Sequence, residues 1–211
     1  TAGNNVSYAD TEILRTYYTC NVKGGGLSGQ TKLIKQGDGV LTLPKADMKH
    51  QGETNVWAGT LNFDGSMLKS PLWLNRFAEL NSNGGHFMNI KAEYGSVIRP
   101  GGKNLIGELM VDSTLNMSFG SCIEIDVDGT QGKSDVFKTK TLSLERKGGI
   151  WLTYGPKYLQ PIIRINSNNL SAGEYVIAEV EEVKGSLANI LIEGTGDFKY
   201  GLTHVDGKVI L

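Results

Sequence analysis

The stretch Leu33-Ile34-Lys35-Gln36-Gly37-Asp38-Gly39-Val40-Leu41-Thr42-Leu43 is followed by Gly52-Glu53-Thr54-Asn55-Val56-Trp57-Ala58-Gly59-Thr60-Leu61. Apolar and polar residues alternate within it at period two, the pattern of strands with one buried and one wet face. Gln36-Gly37-Asp38-Gly39 interrupts the alternation with residues that accept positive φ at little cost, so a turn is expected between two strands.

The same alternation recurs outward from this segment. It is seen in Leu115 to Phe119, Cys122 to Val127, Thr141 to Leu144, Ile150 to Tyr154, Ile163 to Ile165, Glu174 to Val180, Asn189 to Ile192 and Lys208 to Leu211. Turn pairs such as Asp64-Gly65, Gly84-Gly85, Gly101-Gly102, Asp128-Gly129 and Asp206-Gly207 punctuate the strands. Glycine reaches 28 of 211 residues, where average usage gives roughly 15. With only 5 prolines, the excess fits short strands joined by tight corners rather than a linker or a collagen repeat. Leu72 to Leu80 follows Pro71 and reads either as a strand with a turn or as a short helix. Periodicity alone admits a sandwich, a barrel or a solenoid.

A formal net charge of -1 and a pI of about 6.3 supply no basic face for nucleic acid. No apolar run approaches the ~18 residues of a membrane span. Two cysteines, Cys20 and Cys122, form neither a disulfide framework nor a metal cluster. The chain opens at Thr1 and reads as a mature protein or a piece of a longer one, which leaves secretion open.

The segment 33–61 resembles the autotransporter-associated β-strand repeat, whose pattern K-x-G-x-G-x-L-x-L is followed by G-x-T-x-V-x-x-G-T-L. Both spacings are kept here, and Met48 to Gln51 depart from the pattern. Weaker similarities continue through Ile98 to Leu109, through Phe119 to Phe137 and through Ala172 to Val209, so the resemblance covers 25–211. It implies a passenger-type protein of Gram-negative bacteria, of Bacteroides type, that is extracellular or on the outer cell surface. The implied fold is all-β, a right-handed parallel β-helix (solenoid) in a single domain. Residues 1–24 would cap or continue it. At ~4.8 Å per turn the stack would have about 8–10 rungs. Cys20 and Cys122 would then lie roughly 20 Å apart, too far for a disulfide.

This fold leads to the expectation of a non-catalytic structural or display module, a rigid stalk within a larger secreted or surface protein. A second reading is a glycan- or host-binding adhesin module. Its candidate ligand-binding residues are Trp57, Trp73, Tyr94, Trp151 and Tyr154, because exposed aromatic rings stack on sugars. Trp57 and Trp151 are expected to point outward, since Val56 and Ile150/Leu152 claim the inner face. A third reading is a β-helix polysaccharide lyase or hydrolase, with Lys91, Arg99 and Lys103 as cations and Glu93 or Glu108 as carboxylates; no spacing demands it. The expected partners are a glycan or host surface and other domains of the same polypeptide. No cofactor is expected. Asp126, Asp128 and Asp135 form an acidic turn lacking the ligand spacing of a calcium loop, with a structural Ca²⁺ as the alternative. His50, His86 and His204 lack metal-ligand spacing and are expected at the surface.

Overall fold

A computed structural model describes residues 24–144 and 160–211, apart from 168 and 195, together with the backbone of the strands Asn5–Tyr8, Thr11–Arg15 and Cys20–Asn21. Two large sheets, here A and B, dominate. Sheet A holds Thr11–Arg15, Lys32–Gln36, Thr54–Val56, Leu72–Leu74, Gly85–Ala92, Glu108–Met117, Val136–Ser143 and Val176–Lys184, each parallel to the next. Sheet B holds Cys20–Asn21, Val40–Thr42, Thr60–Asn62, Glu79–Ser82, Val97–Pro100, Cys122–Asp128, Ile162–Asn166 and Leu191–Glu193, again all parallel. The chain passes from A to B and back at each step, so every turn lays one strand on each sheet. A third short row joins Ser28–Gly29 to Lys49–His50, then Asp47 to Ser66.

The register turns sequence periodicity into ladders. Leu41, Leu61, Leu80, Ile98 and Ile123 form one inward column of sheet B, all fully buried, and Ile163 continues it. In sheet A, Leu33, Thr54, Leu72, Ile90, Leu115 and Leu142 form the matching column. Each fully buried aliphatic side chain contributes about 1.5–3 kcal/mol. Phe63 and Phe87 are buried in the interior as an edge-to-face pair, centroids 5.8 Å apart.

The ends of sheet A change character. Asn5–Tyr8 pairs antiparallel with Thr11–Arg15, and the hairpin Thr203–Val205 with Lys208–Ile210 lies antiparallel on Val176–Lys184. Exposed Lys208, His204 and Asp206 on that hairpin blunt the open edge against further pairing.

Leu72 to Leu80 is strand, turn and strand rather than helix. Leu72 and Leu74 face the interior at period two while Trp73 points out, so the alternation outweighs the helix start offered by Pro71. Among the described residues the only helical element is the short 3₁₀ turn Leu187–Asn189. Cys122 is a buried free thiol, and burial pushes it up to about 11. Val40–Thr42, Thr60–Asn62, Glu79–Ser82 and Val97–Pro100 separate the strands that carry Cys20 and Cys122.

The segment 33–61 is held by a buried cation. Lys35 occupies an inward position paired with Val56, and its side chain is buried. Its Nζ donates to the Gly37 carbonyl at 2.5 Å and to the Ala58 carbonyl at 2.7 Å, tying the corner of one turn to the corner of the next. A side chain at Gly59 would collide with Nζ and with the carbonyls of Gly37 and Gly39. Burial lowers Lys35 to about 8, with Asp38 opposing the shift.

His50 corrects the expectation of surface histidines. It is fully buried, and its Nε2 lies 2.7 Å from Thr54 Oγ1, which lies 3.0 Å from Ser70 Oγ. Ser70 in turn donates to the Gly52 carbonyl at 2.6 Å. Desolvation lowers the His50 pKa, favouring the neutral ring. His50 follows Lys49 at period two and so falls on the inward side of its short strand.

Candidate functional site: the aromatic corner

Between each strand of sheet A and the following strand of sheet B the chain makes a tight corner. In three consecutive turns the corner has four residues: Asn75-Arg76-Phe77-Ala78, Glu93-Tyr94-Gly95-Ser96 and Ser118-Phe119-Gly120-Ser121. The fourth N–H donates to the first carbonyl in each. In the latter two, the serine hydroxyl also donates to that carbonyl at 2.6 Å. The third residue is left-handed in all three, with φ of 62° at Phe77, 72° at Gly95 and 62° at Gly120. Glycine adopts this conformation freely, whereas any L side chain costs about 1–2 kcal/mol. Phe77 therefore sits, strained, in a slot that the next two turns fill with glycine.

Phe77 is also 67% exposed. Its ring meets Tyr94 of the next turn edge-on, centroids 5.8 Å apart, and lies over Gly95. The backbone also bonds from turn to turn, Phe77 N–H donating to the Tyr94 carbonyl and Gly95 N–H to that of Gly120. One turn earlier the corner is Trp57-Ala58-Gly59, and Trp57 is 50% exposed. Four consecutive turns thus carry an aromatic residue at the same corner: Trp57, Phe77, Tyr94 and Phe119.

Trp73 lies just ahead of this corner on the outer face of sheet A, half-buried. Lys91 Nζ stands 4.0 Å above its ring and bonds Glu93 at 2.7 Å, linking the tryptophan to the first corner residue of the next turn. The indole Nε1–H is buried and finds no acceptor among the described residues. A cavity of about 240 Å³ opens beside Trp73, with Glu53, Asn89, Thr114 and Asn116 among its lining.

Of the five aromatic residues expected from sequence, Trp57 and Tyr94 lie at this corner, Trp73 lies on the strand ahead of it, and Trp57 is half exposed. Trp151 and Tyr154 lie outside the described residues, as does the strand expected at Ile150 to Tyr154. Phe77 is the residue that pattern reading missed. Aligning Arg76-Phe77-Ala78 with Tyr94-Gly95-Ser96 and Phe119-Gly120-Ser121 would have shown a phenylalanine in a glycine slot.

The charged residues considered for lyase chemistry are mostly held in ion pairs. Arg99, 11% exposed at its side chain, is held by Glu79 and Glu124 at 2.9 Å each. Glu108 pairs with Lys138 at 3.1 Å, and Lys91 is committed to Glu93 and Trp73. Lys103 is exposed. His86 pairs with Asp112, and His204 Nε2 lies 2.9 Å from the Val180 carbonyl.

The acidic turn is knitted into the backbone. Asp128 Oδ1 accepts from the N–H groups of Thr130 and Gln131, and Asp126 accepts from the Asn166 amide at 2.6 Å. Asp135 is fully buried and accepts from Gly107 N–H at 2.8 Å and Asp126 N–H at 2.9 Å. Burial still raises its carboxyl to about 8 against those two donors. No cluster of three or more histidine, cysteine or acidic side chains among the described residues is arranged to hold a metal ion. No protein-family model and no curated protein matches the sequence.

Proposed function

We propose that this chain is a non-catalytic structural module, a right-handed parallel β-solenoid that acts as a rigid extracellular stalk or display scaffold within a larger secreted or surface protein. The observation that carries this reading is the unbroken side-chain column on the outer face of sheet B. Asn62 donates to Thr42 at 3.2 Å, Asn81 to Asn62 at 2.9 Å, and Arg99 to Asn81 at 3.3 Å. Arg99 then donates to Glu124 at 2.9 Å; Arg164 spans Glu124 at 3.4 Å and Glu193 at 3.1 Å. Such a column stiffens a stack along its axis, because bending it breaks several bonds at once. Along this column the polar side chains bond from one turn to the next.

The similarity of 33–61 to the autotransporter-associated repeat supports the same reading and supplies its surface location. Two measurements test it together: antibody labelling of the module on intact producing cells, and incubation of the purified chain with neutral and uronate-containing polysaccharides. Surface labelling without release of reducing ends or unsaturated products is expected. Turnover by the purified chain, or label confined to permeabilised cells, contradicts it.

A further inference from the structure

We propose that His50 makes the short third row of strands an acid-operated latch: one proton taken up by its ring opens the pairing of 27–29 with 49–51 while sheets A and B stay folded. The latch is independent of the scaffold role.

Counting protons along the buried chain of hydrogen bonds fixes the state of the ring. Ser70 has one hydroxyl proton and donates it to the Gly52 carbonyl at 2.6 Å. The 3.0 Å bond between Thr54 Oγ1 and Ser70 Oγ is therefore donated by Thr54. That uses the only Thr54 hydroxyl proton, so the 2.7 Å bond between His50 and Thr54 is donated by the ring, from Nε2–H. His50, Thr54 and Ser70 are all fully buried, and His50 Nδ1 has no hydrogen-bond partner among the described residues. A proton on Nδ1 would create a buried cation whose N–H meets no acceptor. The folded ring is thus neutral, with its lone pair on Nδ1.

The charged groups on the neighbouring elements do not offset such a cation. Lys49 on the same strand, Asp47 just before it and Lys69 beside Ser70 are exposed. Lys32 and Glu53, at the starts of the adjacent sheet A strands, are half-exposed and lie 3.9 Å from one another, and Asp47 accepts from the Ser66 hydroxyl at 2.7 Å. The buried ammonium of Lys35 is held beyond the other end of the strand, by the Gly37 and Ala58 carbonyls.

The row itself is short. Ser28–Gly29 pairs with Lys49–His50 through two residues on each side, with Lys49 N–H donating to the Leu27 carbonyl at 2.7 Å and Gln51 N–H to that of Gly29 at 2.8 Å. Sheets A and B run past it as continuous ladders, so it can open without breaking them. Opening gives a proton on Nδ1 water as its acceptor. Because burial lowers the pKa of the closed ring from 6.5, the closed row is favoured above that value and loses its advantage as pH falls below it.

Amide hydrogen exchange of the whole chain, read by mass spectrometry and corrected for the intrinsic rate, is compared at about pH 7.5 and about pH 5. Peptides within 26–31 and 46–53 are expected to open about tenfold more at the lower pH, and peptides from Glu108–Met117 and Cys122–Asp128 to change less than about twofold. His50→Gln keeps a side-chain N–H for Thr54 but takes up no proton, and is expected to abolish the change. Imidazole nitrogen NMR, in a chain carrying His86→Gln and His204→Gln so that one ring is observed, is expected to show Nε2–H with a bare Nδ1 at about pH 7.5; it decides the matter even if His50→Gln fails to fold. An Nδ1–H tautomer, or a ring that titrates at or above 6.5, overturns the proposal. So does exchange in these peptides that ignores pH, or a wild-type pH response surviving in His50→Gln, which would assign it to Asp47 or Glu53.

Discussion

Arg99 Nε donates to Glu124 Oε1 at 2.9 Å, while the same guanidinium reaches Glu79 at 2.9 Å from Nη1. Three turns are thereby joined through one largely buried cation. Burial opposes the Glu79 charge, but the hydrogen bonds from Arg99 and Thr60 prevail and hold its carboxyl below the usual range.

Removing the cation leaves two carboxylates facing each other across the sheet. Arg99→Met is expected to destabilise the chain by about 3 kcal/mol, measured by urea unfolding. Restoring neutrality with Arg99→Met combined with Glu124→Gln should recover part of that loss; a purely additive double mutant would contradict coupling between the pair. Because the folded Glu79 pKa is depressed, its contribution is present above the ordinary carboxylate range and is lost as pH falls through the folded value.

Asp135 gives the opposite pH dependence. Its folded carboxyl titrates near 8 and its ordinary value is 3.8, so between those limits the folded state holds more protons than the unfolded state. Stability attributable to this group therefore falls as pH rises from about 4 to 8. Asp135→Asn cannot titrate. Its urea midpoint is expected to be lower than wild type at about pH 5, because one backbone N–H loses its acceptor, and to change less on going to about pH 8. An equal pH slope in both proteins would remove Asp135 as the source.

Lys35 is buried with its ammonium on two carbonyls, Gly37 and Ala58. Lys35→Met preserves length and apolar contact but leaves both carbonyls without that donor, so a loss of about 1–3 kcal/mol is expected at neutral pH. Differential scanning calorimetry would check this. A neutral or stabilising effect would mean that water replaces the amine.

Gly95 lies under the Phe77 ring, where a methyl group would come within 2.5 Å of it, and has φ of 72°. Gly95→Ala is expected to cost about 1–2 kcal/mol from backbone strain, plus displacement of the ring. In a Phe77→Gly background the displacement disappears and only the strain remains, so a chemical-denaturation cycle of the two substitutions should be non-additive in the rescuing direction.

Much of this architecture was legible in the sequence, for identifiable reasons. Val40-Leu41-Thr42 and Thr60-Leu61-Asn62 alternate cleanly because only one face of sheet B is buried, and the registered pairs Leu41 with Leu61 follow from that pattern. Glu79–Ser82 and Val97–Pro100 were less visible, because their outward positions carry charges whose partners lie a whole turn away in sequence. His50 escaped for a related reason: it bonds Thr54, and the Thr54 hydroxyl is bonded in turn to Ser70 from the next turn of the chain. At the corner, Trp57 and Tyr94 declared themselves by residue type, whereas Phe77 is unusual only through its backbone conformation, which no composition or period records.

A rigid stalk requires successive turns to lie parallel and in register. Outward residues Lys32, Glu53, Asn89 and Glu182 lie along one face of sheet A. Spin labels on cysteines placed at Glu182 with Asn89, with Glu53 and with Lys32, in a background lacking Cys20 and Cys122, allow the spacing to be read by double electron–electron resonance. At about 4.8 Å per turn the backbone separations should be about 14, 24 and 29 Å, rising with each added turn. Distances that fail to increase in that order would contradict a parallel stack, and with it the stalk and the aromatic corner together.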